Sequence, residues 1–125
     1  QVSSKDLWVD DSDSFFYNQH LQVAHDLPLS SWERSEQMER YRYTHSLKVF
    51  IEHNYGSNLK SGAGSAIFFH IWKHSRARSY GCTIMSESNL RRMIAWLDPE
   101  CEPLYVVMPK YEYEKRIVEW GLPAI

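Results

Sequence analysis

The chain has 125 residues, enough for one domain and too few for two independent cores. Lys and Arg number 14 against 16 Asp and Glu, a formal charge of −2 that argues against charge-driven binding of nucleic acid or anionic lipid. Hydrophobic residues at 43% and aromatics at 14% exclude a disordered chain, and no apolar run nears the roughly 20 residues that cross a bilayer, so membrane insertion is not expected. The two cysteines, Cys82 and Cys101, exclude a disulfide-dense scaffold and a four-cysteine zinc site. Gln1 in first place leaves room for an export signal or a longer upstream part ahead of it.

The stretch from Trp8 to Ser31 mixes Asp10, Asp11, Asp13 and Ser residues with Phe15, Phe16 and Tyr17 and shows no period, which predicts an irregular, aromatic-anchored loop. Glu33 to Arg42 lacks Gly and Pro and allows a short helix with Met38 and Tyr41 as its apolar residues. Residues 1–42 thus read as a loop-rich segment ahead of a core spanning 43–125. Leu47, Val49 and Ile51 alternate with Ser46, Lys48 and Phe50, the pattern of a half-buried strand, and Asn54, Tyr55 and Gly56 mark its end.

Ala66 to Trp72 is a compact apolar run bounded by turn residues, which predicts a buried strand pairing with Leu47–Ile51 as a hairpin. Lys73 to Ser79 is basic and polar, hence a loop. Ser86 is a helix cap, and Leu90, Met93, Ile94 and Leu97 share one helical face before Asp98 and Pro99 stop it. Leu104 to Met108 reads as a strand, and Tyr111 to Trp120 as a last helix closed by Gly121 and Pro123.

The sharpest chemical signal is Ser79, Tyr80, Gly81, Cys82, a cysteine behind a glycine at the end of a loop. Thiol catalysis needs an accessible sulfur, a base and donors for a developing oxyanion. Gly81 permits close backbone approach, and the nearby helix start with Arg76 or Arg78 would favour a thiolate. His70, interrupting an apolar strand twelve residues earlier, supplies a base on a rigid element. From spacing alone a core cysteine and a satisfied core histidine account for the same residues. His70 and His74 with Cys82 make an incomplete metal set, so no metal and no cofactor are expected.

Gly64 to His70 followed by Ser79, Tyr80, Gly81, Cys82 resembles the L,D-transpeptidase catalytic family, also called the YkuD family, whose signature is a His on a strand, a variable loop and Ser-x-Gly-Cys. The resemblance extends through Trp8 to Asp11, Tyr17 and Asn18, Leu90 to Pro99, and Trp120 to Pro123. It implies a mixed, mainly β fold, a β-sandwich with one central helix and a C-terminal helix. It further implies that Cys82 is an acyl-forming nucleophile, His70 its base, the Ile71 carbonyl the group orienting His70, and Gly81 with the Cys82 amide the oxyanion hole. Ser79, Tyr80, Arg76 and Arg78 would face the substrate, the stem peptides of peptidoglycan, in the periplasm or cell envelope. Many members carry His where this chain has Tyr80 and Arg where it has Thr83, Ile84 and Met85, changes that bear on the acyl acceptor. Family domains also begin with strands that this chain does not display ahead of Trp8, so the chain reads as a whole catalytic domain or the later part of one. The activity implied is transpeptidation. Hydrolysis by the same Cys and His, as an L,D-carboxypeptidase, and a catalytically silent wall-binding module are the alternatives.

Overall fold

A computed structural model describes residues 2–25, 30–38 and 42–125, the side chains of Arg34 and Arg42 excepted. In chain order the elements are β1 (Asp6–Trp8), β2 (His20–Gln22), α1 (Ser31–Ser35), α2 (Arg42–His45), β3 (Lys48–Phe50), β4 (Phe68–Ile71), β5 (Thr83–Met85), α3 (Glu87–Trp96) and α4 (Lys110–Trp120). The fold is mixed α and β, but the expected weight on β is not met: the strands have three or four residues, whereas α3 has ten and α4 eleven. Among the described residues no helix is long and apolar enough to cross a membrane.

Two sheets form. β1 and β2 pair antiparallel, with Leu7 opposite Leu21, so the expected irregular loop is interrupted by strand at Trp8 and at His20–Gln22 and ends where α1 begins at Ser31; its residues 26–29 lie outside the described set. β3, β4 and β5 make a second sheet in that order. β3 and β4 pair antiparallel as the hairpin reading predicts, with Lys48 opposite His70 and Phe50 opposite Phe68. β5 runs parallel to β4, with Phe69 opposite Thr83 and His70 opposite Ile84. A parallel neighbour needs a crossover connection, and the basic loop 73–80 supplies it.

Side chains alternate along each strand, so this sheet has two distinct faces. On one, Phe69 and Ile71 pack with Leu90 of α3, and Leu47, Val49, Ile51, Met85, Met93 and Ile94 close round them. Ser86 caps α3 by accepting from the Asn89 amide, and the helix delivers Leu90, Met93 and Ile94 to the sheet as their spacing predicts. On the other face Phe68 meets Trp8 and Met38, with Phe50, Ala66 and Cys82 packed against them. Trp8 is held edge-on to Phe68 and tilted over Phe50, at centroid distances of 4.9 and 4.3 Å.

Two further expectations are corrected. The helix read over Glu33–Arg42 is interrupted: α1 ends at Ser35, Glu36 accepts from the Trp8 amide and Gln37 bridges Leu7, while residues 39–41, including Tyr41, lie outside the described set. Pairing with β1 claims the backbone that a continued helix would have used. Leu104–Met108 is extended but is not a strand, since its amides and carbonyls find no ladder partner among the described residues. Leu104 and Val107 are 93% and 73% exposed, and the segment is tied down through Tyr105, which stacks edge-on against Phe69 and shares a 2.6 Å hydrogen bond with Thr83. α4 ends at Gly121 in the left-handed conformation, as its closing residues predict, and it buries no residue.

Candidate active site on the Trp8 face

β4 and β5 carry the two residues singled out for thiol chemistry. Cys82 immediately precedes β5, and continuing the register from Phe69 and Thr83 sets it opposite Phe68. His70 lies two residues further along β4, so both project from the Trp8 face, one strand and two residues apart, a diagonal of about 7–8 Å between backbones. Gly81 has φ +126°, where L side chains are strained, and a Cβ there would lie 3.2 Å from Ile67 Cδ1. The turn delivering Cys82 therefore needs glycine on both counts.

His70 Nδ1 lies 2.9 Å from the carbonyl oxygen of Ile71. A carbonyl can only accept, so Nδ1 carries the proton and donates it, and in the neutral ring Nε2 keeps its lone pair. Burial lowers the His70 pKa, and the Lys48 charge lowers it further, against the pull of the Ile71 and Thr44 backbones, so the ring is neutral at pH 7. Neutral His70 with an Nε2 lone pair is the form a general base requires.

The Cys82 thiol donates to the Ala66 carbonyl, with Sγ 3.5 Å from the oxygen, and does not bond to His70. Ala66 is itself held in place: φ is +54°, and its amide donates to Asn18 Oδ1 at 2.9 Å. Asn18, at φ +55° and fully buried, also accepts from Trp8 Nε1 at 2.9 Å and donates to the carbonyls of His53 and Asn54 at 3.1 and 2.8 Å. Each donor and acceptor it presents to the interior is used, and the side chain ties β1, the end of β3 and the approach to β4 into one frame under the thiol. Asn18 belongs to the resemblance, but its role lies in contacts 35–48 residues away that no local pattern reports.

Two more site residues come only from the register. Lys48 is paired with His70 across β3 and β4, and its Nζ stands 4.7 Å above the centre of the Phe68 ring, whose register partner is Cys82. Burial pushes its pKa down to about 8, and the negative charge of a Cys82 thiolate opposes that fall. His45 of α2 meets His70 edge-on, at 4.5 Å between ring centres. Burial, then the charges of Lys48 and His70, push its pKa down to about 4, with the Met38 backbone pulling it up. Both imidazoles are neutral at pH 7 beside a Lys48 that is still largely protonated.

The remaining predicted residues are not gathered here. Arg76 and Arg78 are exposed on the loop between β4 and β5, Arg76 donating its amide to His74 Nδ1 within that loop. Tyr80 is wholly exposed beside Gly81, and the Ser79 hydroxyl folds back to the Cys82 carbonyl. The helix start expected to favour the thiolate is displaced, because the three residues of β5 separate Cys82 from the Ser86 cap. Cys101 is exposed, and both cysteines are free thiols. An open groove of about 450 Å³ is lined by Ile51, His53, Ile67, Gly81, Tyr105 and Trp120.

Compared with protein-family models, curated proteins and solved structures, the chain finds no match in any of the three.

Proposed function

We propose that this chain is a cysteine acyltransferase of the L,D-transpeptidase (YkuD-like) kind, with that family's β-sandwich architecture, acting on peptidoglycan stem peptides in the periplasm or cell envelope. The observation that carries the reading is the neutral His70, its Nδ1–H held by the Ile71 carbonyl, on the same sheet face as a free thiol one strand away. Residue types and backbone orienter are those the sequence motif implies, and a core histidine needs no thiol beside it.

In the proposed reaction Cys82 turns about χ1 from the Ala66 carbonyl toward His70 and gives its proton to Nε2. The sulfur attacks the carbonyl carbon of the bond between an L-centre and the terminal D-residue, and the oxyanion faces the Gly81 and Cys82 amides. The C–N bond breaks, His70 Nε2–H protonates the leaving amine, and a thioester remains. An acceptor amine then attacks the thioester, loses its proton to His70, and the thiol leaves with that proton. With water as acceptor the same cycle is an L,D-carboxypeptidase. The intact mass of the protein after incubation with a tetrapeptide or a carbapenem tests the proposal: a single adduct that maps to Cys82 and disappears in Cys82→Ala is expected. A folded protein that forms no adduct with either, and turns over no peptide, would instead be a silent module.

A further inference from the structure

Lys48 stands on the Trp8 face, and the Cys and His chemistry does not itself require it. A lysine on a half-buried strand face ordinarily reaches out to solvent. Here the side chain instead lies over Phe68, the register partner of Cys82, and its ammonium acts on both Cys82 and His70. The groups facing it are Cys82 from ahead of β5, His70 from β4 and His45 from α2, with Phe68 as the apolar floor. Among the described residues no carboxylate is one of those groups, and the negative charge this ammonium is placed to meet is that of the sulfur once its proton leaves.

We infer that Lys48 is a positioning cation for the nucleophile, placed to stabilise the negative charge that develops on the Cys82 sulfur as its proton passes to His70. Field strength favours the assignment, because charges in a partly buried site interact several times more strongly than the same charges in water. The exposed Arg76 and Arg78 work in the weaker, salt-screened regime. The inference rests on Cys82 being the nucleophile proposed above and adds what sets its reactivity. Because Lys48 releases its proton near pH 8, the assistance is present at neutral pH and fades above it.

The test reads the thiol without any peptide. In a Cys101→Ser background, the rate of Cys82 alkylation by iodoacetamide is followed from pH 6 to 9.5 for the parent, Lys48→Met, Lys48→Gln and Lys48→Arg. At pH 7 Met and Gln should each slow alkylation by roughly 5- to 10-fold. Arg should remain within about 2-fold of the parent because it keeps the charge. The gap between parent and Met should close above pH 9. Equal rates for folded parent, Met and Gln at pH 7 would overturn the inference, as would an Arg variant as slow as Met, which would make the effect one of packing. A carbapenem adduct with unchanged alkylation rates would leave the proposed reaction standing and remove Lys48 from it; a charge-dependent alkylation rate with no adduct would do the reverse.

Discussion

The two faces of the β3–β4–β5 sheet come from the same three strands, one residue out of phase, and they are built to different ends. The α3 face is mostly apolar: Phe69, Ile71 and Leu90 are buried and ringed by aliphatic and methionine side chains, with the Thr83–Tyr105 hydrogen bond at its exposed edge. The Trp8 face buries Phe68 and Trp8 but also gathers Cys82, His70, His45 and Lys48, groups whose burial costs stability. A fold seeking only stability would make the second face resemble the first. Side-chain alternation lets one sheet keep an apolar floor on one side and a polar cluster on the other, so the residues that pack and the residues of the proposed reaction are different ones.

Breaking the apolar face should give the largest loss. Leu90 is fully buried, and Leu90→Ala should cost about 3–4 kcal/mol in chemical denaturation by opening a cavity under β4. The same change should leave the Cys82 alkylation rate of the folded fraction nearly unaltered. Next comes the frame under the thiol: Asn18→Ala strands the Trp8 indole N–H, the Ala66 amide and two carbonyls, and should cost about 2–3 kcal/mol. Unlike Leu90→Ala it should also raise the alkylation rate, because the Ala66 carbonyl that holds the thiol in its protonated form loses its anchor.

On the reactive face the stability effects are smaller and change sign. His70→Ala should slow acylation by roughly a hundredfold or more while leaving the melting temperature within a few degrees of the parent. Lys48→Met removes a half-buried ammonium and should raise stability at pH 7 by about 1 kcal/mol, even as it lowers thiol reactivity. A variant that is both more stable and less reactive would be direct evidence that the face trades one for the other.

Acid should expose the same asymmetry. His45 and His70 have folded pKa values below their ordinary 6.5, His45 down to about 4, so below pH 6.5 the unfolded chain binds protons that the folded chain does not. Stability should therefore fall as pH drops from 6.5 toward 4. Glu33 is held down to about 2, first by the Ser30 hydroxyl and then by His25 and the Ser30 amide, which makes its stabilisation present above 4.5 and lost as pH falls from there toward 2. His45→Gln should flatten the upper part of this decline and leave the lower part, as melting temperatures across the range would show.

How much of this was legible in the sequence follows the range of the interactions. α3 was readable because its cap and its apolar face lie within one short stretch, and the β3–β4 hairpin because both apolar runs are bounded by turns. β5 was not: Thr83, Ile84 and Met85 are too few to show a period, and only their pairing with β4 makes them a strand. β1 and β2 escaped for the same reason, while Leu104–Met108 has the composition of a strand but no neighbour to pair with among the described residues. Of the site, Cys82, Gly81, His70 and the Ile71 carbonyl could be named from their order along the chain. Lys48 and His45 could not, since an unremarkable strand lysine becomes a site residue only when the register sets it beside His70.

The central claim is that the Trp8 face carries a nucleophilic thiol with His70 as its base, and covalent capture tests it most directly. Intact mass of the parent, Cys82→Ala and His70→Ala, each incubated with a carbapenem at pH 7 and digested for peptide mapping, should show one adduct on Cys82 in the parent. Cys82→Ala should show none, and His70→Ala should form the adduct far more slowly. An adduct on Cys101, or a folded parent that stays unmodified by carbapenem and tetrapeptide alike, would contradict the account.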